Sequence, residues 1–277
     1  MNIIEVMTKA KDKTRKFAKD VIGKIAQASP SKEGKAPGKH TIAIIHFNTP
    51  ELTEAAILSV RKQCVYNYDI VVFDNSTERP FTLKMEGVRV IDNTKGKYVN
   101  FDKELAKYPD KQIEYNRIAN WASVKHMLSV QKLWELIPGG FILLESDVLL
   151  KRDIGFLWDE KFAACGKVQF FRGKRIERDR LIPFLCYLNV PLLVANGARY
   201  FDPKRSWGLM KDDSNPCNWY DTGACVLEDI INTKPALVCR NYDNLDRCYL
   251  HFANGSWRRN DKESHIKWLN QNQNLWK

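Results

Sequence analysis

The chain has no apolar run approaching the ~18 residues needed to cross a bilayer, and its opening, MNIIEVMTKAKDKTRKF, has no uninterrupted apolar stretch. Neither a membrane-spanning helix nor a cleaved secretory leader is therefore expected. No G-x-G-x-x-G follows the first strand-like segment, and G-x-x-x-x-G-K-[ST] occurs nowhere. Those absences argue against a dinucleotide oxidoreductase and against a P-loop phosphotransferase. Glycine (14) and proline (11) are too scarce for a fibrous or low-complexity chain. The 7 cysteines are odd in number and form no C-x-x-C pair, which predicts reduced thiols in a cytosolic setting.

The 277 residues, 44% of them hydrophobic, are ample for a single large core with an appendage. A formal charge of +11 first suggests nucleic acid, but its distribution does not. Residues 1–39 hold ten Lys/Arg against four Asp/Glu, leaving only +5 for the rest of the chain. That mild excess suits phosphorylated ligands or an anionic membrane surface.

Ile3, Met7, Ala10, Phe17, Val21 and Ile25 recur at helical spacing opposite lysines, so residues 1–28 are expected as a basic amphipathic helix. Such a helix could lie on an anionic membrane, or its stripe could form a seam with another helix. Residues 29–40, SPSKEGKAPGKH, have linker composition. The remaining residues, 41–277, should form one catalytic-sized domain. There, TIAIIHF, DIVVFDNS, GVRVID and FILLESDVLL read as strands, with helices expected from Thr49–Pro50–Glu51 onward and over residues 116–136. Further strands are expected at KVQFF, VPLLVAN, ALVCR and RCYLHF, with CVLEDII helical. Strand–helix–strand spacing predicts an α/β fold with a mixed, mainly parallel sheet flanked by helices. In such a sheet, ligands bind at the carboxyl ends of the strands.

Those ends carry Phe47, Asn48 and Thr49, then Asp74, Asn75 and Ser76, then Glu145, Ser146 and Asp147. Residues two apart on an extended chain share a side, so Glu145 and Asp147 could face one ligand. Paired hard oxygen donors suit Mg²⁺ or Mn²⁺, although acids also end strands as plain turn residues. His251 follows the apolar RCYL and precedes FANGSW; a lone histidine there could equally be core. His126 lies in SVKHML on the long helix, where packing is an equal reading. Asp221 in NWYDTG could be a helix cap or a general base, with Asp212, Asp213, Glu228 and Asp229 as competitors. Trp207, Trp219, Tyr220 and Trp257 could floor a sugar site or simply fill the core.

The run IAIIHFNTPELTEAAILSVRKQ, then DIVVFDNS, then ILLESDVLL resembles the GT-A (Rossmann-like) nucleotide-sugar glycosyltransferases, in particular the inverting family 2 group. YDTGACVLED and YLHFANGSW extend the likeness, so it spans about residues 41–257. The first acid of the family's D-x-D element is Glu145 here, which makes Asp147 the safer metal position. The resemblance implies a metal-dependent, inverting, hexosyltransferase-like enzyme of polysaccharide biosynthesis that moves a sugar from a nucleotide diphosphate to a glycan or lipid-linked acceptor. It implies Mn²⁺ or Mg²⁺ on Asp147 and His251, with Phe47, Asn48, Thr49, Asp74, Ser76, His126 and Glu145 on the donor side and Asp221 as base. The setting would be cytoplasmic, peripheral to the inner face of a membrane, with no nucleic-acid partner. The competing readings are a sugar-phosphate nucleotidyltransferase, whose glycine-rich basic signature HFNTPELTE lacks, and a non-catalytic binder of polyanions or membrane surfaces.

Overall fold

The computed structural model describes residues 25–28, 40–107, 121–171, 178–206, 220–233, 237–252 and 261–277. Among them the chain builds an α/β sheet of eight strands and a separate two-stranded ladder. Strands β1 (Ile25–Ala28), β2 (Thr41–His46), β3 (Asp69–Asp74), β4 (Val88–Asp92), β5 (Phe141–Glu145), β7 (Ala164–Gln169), β8 (Arg180–Leu188) and β9 (Cys239–Tyr242) run in the order β1-β9-β7-β8-β5-β2-β3-β4. Only β8 is antiparallel to its neighbours; the other pairs are parallel. The mixed, mainly parallel sheet expected from the sequence is what forms.

Strand periodicity explains the two cores. Along β2, Ala43 joins one apolar cluster while Ile42 and Ile44 join the other, so successive side chains supply opposite faces of the sheet. Helix α1 (Pro50–Gln63) has Pro50 in its first turn, where a missing N–H costs least, and Arg61 and Lys62 at its negative end. It buries Leu52, Ala55, Ala56, Ile57 and Val60. The short helix α2 (Phe101–Ala106) starts where Asn100 accepts the backbone N–H of Lys103. Helix α3 (Trp121–Leu136) covers the other face of the sheet through Val124, Met127, Val130 and Leu133. The proposed start of that helix, before Trp121, lies outside the described residues.

Several expectations need correction. FILLESDVLL is not one strand: the chain turns at Ser146–Asp147, and β6 (Val148–Leu150) leaves the main sheet to pair with β10 (Tyr249–His251). VPLLVAN is helical, as α4 (Val190–Ala195), because Asn189 accepts the N–H of Leu192 and Pro191 occupies the first turn. The strand belongs to the preceding nine residues, β8, which the sequence reading missed. Ile25–Ala28, expected as the end of the amphipathic helix, is strand β1, with Ile25 buried and Gln27 bonded to Asn241 at 3.0 Å. The rest of that expected helix, the segment 29–39, Trp207, Trp219, Trp257, Asp212 and Asp213 lie outside the described residues. His40, expected in the linker, stacks on Trp158 at 4.0 Å and belongs to the domain. Helix α5 (Ala224–Asn232) matches CVLEDII, and α6 (Lys262–Gln271) packs near the chain's end.

Candidate metal centre and nucleotide cleft

The turn after β5 is held from two sides. Ser59 Oγ on α1 accepts the N–H of Leu150, and Asp147 O accepts the N–H of Phe252 at 2.9 Å. The β6–β10 ladder sets His251 opposite Val148, and Phe184 on β8 stacks on the His251 ring at 3.9 Å. One ligand atom from each of Glu145, Asp147 and His251 therefore lies within 4.8 Å of the others. His251 Nε2 lies 3.5 Å from Asp147 Oδ1 and 3.9 Å from Glu145 Oε2. In the sequence, spacing paired the acids and the resemblance added His251; in the fold, the β6–β10 ladder brings the histidine to them.

Charge is poorly compensated here. Burial pushes the Glu145 carboxyl well above the usual carboxylate range, the Asp147 charge adds to this, and Arg180 partly opposes it. Two apposed carboxylates and an imidazole form the donor set of a divalent cation, whose charge would relieve this repulsion. His126 is 3.9 Å from Glu145, and its Nδ1 is 2.9 Å from Thr222 Oγ1. Burial lowers its pKa to about 4 against the pull of Asp147, so it is neutral at physiological pH. Its Nε2 is buried without a hydrogen-bond partner.

Asp221 is positioned by the turn into α5: its Oδ1 accepts the N–H of Thr222 at 2.7 Å, and its Oδ2 accepts from Arg180 Nη1. Arg180 Nε in turn donates to Gln169 Oε1 at 2.9 Å. Both oxygens of the candidate base are thus engaged. Glu228 and Asp229, its described competitors, accept from Arg205 at 2.9 and 2.7 Å and are tied up there.

A cleft of about 380 Å³ opens over the carboxyl ends of β2, β3 and β4. Phe47, Asn75, Thr77, Asn93, Trp121 and Lys125 are among its walls, and Lys125 Nζ sits 4.8 Å above the Phe47 ring. Of the residues proposed for the donor from sequence, Phe47 faces this cleft. Asn48, Thr49, Asp74 and Ser76 are buried, and Asn48, Asp74 and Ser76 are bonded among themselves and to the loop after β3. Asp74 accepts the N–H groups of Ser76 and Phe81 at 2.9 and 2.7 Å. Asn48, at a φ of 58°, accepts the N–H groups of Thr77, Glu78 and Arg79. The Asp74 and Asn48 oxygens thereby shape the loop after β3. Trp121 and Lys125 were missed, although their spacing of four residues puts them on one helix face. Nothing in the sequence pointed to Arg180.

No family model matches the chain, and no curated protein is similar to it. Among solved structures it is similar to the galactosyltransferase LgtC, in complex with donor and acceptor sugar analogs, at 14% identity and a TM-score of 0.43 over 72% of each chain. It is also similar to core-mannan synthase A of Aspergillus fumigatus in its Mn/GDP form, at 8% identity and a TM-score of 0.41, over 82% of this chain and 78% of that one. A mannosyltransferase from Pyrobaculum calidifontis, in complex with GDP-Man and Mn²⁺, is 12% identical with a TM-score of 0.37, over 76% of this chain and 58% of that one. These likenesses are loose, and the functional reading rests on the site itself.

Proposed function

We propose that the protein is a metal-dependent glycosyltransferase of the GT-A type that uses a nucleotide-diphosphate sugar. The observation that carries this reading is the Glu145–Asp147–His251 triad at the exit of β5, beside a cleft over the neighbouring strand ends. Asp147 and His251 would hold Mn²⁺ or Mg²⁺, with Glu145 completing the set. A bound divalent ion would supply positive charge against the departing diphosphate. The chain's own groups do the rest. Phe47 and Trp121 offer ring faces to a nucleobase, and Lys125 places a positive charge at the cleft wall. Neutral His126 can exchange a hydrogen bond with the donor through its unpartnered Nε2.

Asp221 is proposed as the base that takes the acceptor's hydroxyl proton, which requires Arg180 to release Oδ2 when the acceptor enters. An inverting course goes with that role. The acceptor is a glycan or lipid-linked sugar, and residues 1–24 are proposed to contact an anionic membrane where such an acceptor resides. Among the described residues, no helix is long and apolar enough to cross a membrane.

The test is nucleotide release from a panel of nucleotide sugars with and without Mn²⁺. Release from at least one donor that EDTA abolishes supports the reading, and release from none overturns it. Product anomeric configuration by NMR checks the Asp221 assignment: retention would remove both the base role and the inverting course.

A further inference from the structure

Arg180 opens β8, Arg178 lies two residues before the strand, and Asp179 between them accepts the N–H of Phe171 at 2.8 Å. Both reach the Tyr220–Asp221 segment. Arg180 is neutralised there by Asp221, and the Arg178 guanidinium carbon lies 5.3 Å over the Tyr220 ring. Tyr220 is fixed beneath it by hydrogen bonds from its hydroxyl to Glu228 at 2.9 and 3.0 Å. Arg205 already takes up Asp202, Glu228 and Asp229. Arg178 Nε, by contrast, is buried without a hydrogen-bond partner, and no described carboxylate forms an ion pair with this side chain. A ring face compensates a guanidinium only in part; a phosphate or carboxylate meets its planar fork with two hydrogen bonds.

The place of this arginine in the sheet says which ligand it faces. In the order β8-β5-β2-β3-β4, the nucleotide cleft lies over β2 to β4, the triad ends β5, and Arg178 and Arg180 stand on the far flank at β8. Because β8 runs antiparallel to β5, its first residues lie at the same edge as the carboxyl ends of β5 and of the strands parallel to it. In the inverting course proposed above, the acceptor hydroxyl attacks the anomeric carbon from the face opposite the departing diphosphate. We propose that Arg178, with Arg180 beside it, forms a subsite for an anionic acceptor, a sugar bearing a phosphate or carboxylate group. This rests on the glycosyltransferase reading and adds the acceptor's chemical class to it.

Calorimetric titration of the full chain with glucose 1-phosphate, glucuronate, glucose and inorganic phosphate, in EDTA and again with Mn²⁺, tests it. At least one sugar anion is expected to bind tenfold or more tightly than glucose under both conditions. Preference for glucose 1-phosphate alone identifies a phosphorylated acceptor; preference for glucuronate identifies a uronic acid. Arg178→Gln should erase the preference, Arg178→Lys should keep part of it, and Lys84→Gln on a remote surface should leave it intact. Equal binding of glucose, a preference that survives Arg178→Gln, or inorganic phosphate binding as tightly as either sugar anion would overturn the subsite. Nucleotide release without any anion preference removes this inference alone; anion preference without release from any donor removes the transferase reading and the acceptor assignment with it.

Discussion

Asp147 is 3% exposed, lies within reach of His251, and shares its surroundings with the Glu145 carboxylate. Asp147→Asn therefore removes a repulsive charge together with the proposed metal ligand. Metal-dependent nucleotide release should fall about a hundredfold or more, while the melting temperature stays level or rises. Full activity in this variant, measured beside Mn²⁺ titration, would take Asp147 out of the site. His46 shows the opposite use of a buried histidine. Its Nε2–H donates to Arg79 O at 3.1 Å and its Nδ1 accepts from Thr53, so the neutral ring is the native form. Burial lowers its pKa from 6.5, and Asp74 only partly opposes this. Above pH 6.5 the ring is neutral folded and unfolded, and it adds no pH dependence. Below that value the unfolded chain takes up the proton first, so stability declines until the pH reaches the folded pKa. Urea unfolding between pH 7.5 and 5.5 should show this decline, and His46→Gln should make it shallower; an unchanged slope would assign it to other groups.

At the scale of elements, the junction of β8 with α5 positions the proposed acceptor side of the site. Gly223 has a φ of +86°, and a Cβ there would sit 1.9 Å from the carbonyl oxygen of Leu181. The close approach is held by the Leu181 N–H to Gly223 O bond, 3.3 Å. It sets Tyr220, Asp221 and Thr222 against Arg180 and His126. Gly223→Ala must push α5 off β8, and no rotamer change can relieve a clash with backbone. Destabilisation on the order of 2–4 kcal/mol is expected, with loss of transferase activity even where the chain still folds. Thermal melting and nucleotide release measured together check this; wild-type values for both would show that the junction yields freely.

For the whole molecule, β1 changes how the N-terminal region should be tested. Residues 25–28 pair with Cys239–Tyr242 at the sheet edge, so removing residues 1–39 strips an edge strand along with the basic segment. Deleting residues 1–24 should abolish flotation with anionic vesicles and leave the melting temperature and soluble-acceptor activity unchanged. Deleting residues 1–39 should lower the melting temperature by several degrees, because β9 loses its edge neighbour β1 and the core loses the buried Ile25 side chain. If the shorter deletion instead converts a dimer to a monomer with vesicle binding intact, the stripe is a helix–helix seam.

Local chemistry in the sequence was enough for β2, α1, β3 and the approach to Glu145 and Asp147, because apolar periodicity and strand-end acids are written in neighbouring residues. It also grouped His251 with those acids, through the resemblance of YLHFANGSW and not through any spacing, and the three side chains lie together in the structure. It misread VPLLVAN, where apolar content looks the same in a short buried helix and a strand and only the Asn189 cap and Pro191 tell them apart. It missed β8, whose residues alternate weakly because both faces of a central strand are largely buried. The amphipathic stripe of residues 1–28 ran on into Ile25, which the partner strand β9 instead draws into the sheet. Tertiary structure alone decided that Asp74 and Asn48 spend their polarity on backbone N–H groups, and that Arg180, 35 residues beyond Glu145, bears on its charge. Sequence fixes residue type and local period; which distant groups share a low-dielectric pocket is set by strand order, and strand order is settled only when the whole sheet closes its hydrogen bonds.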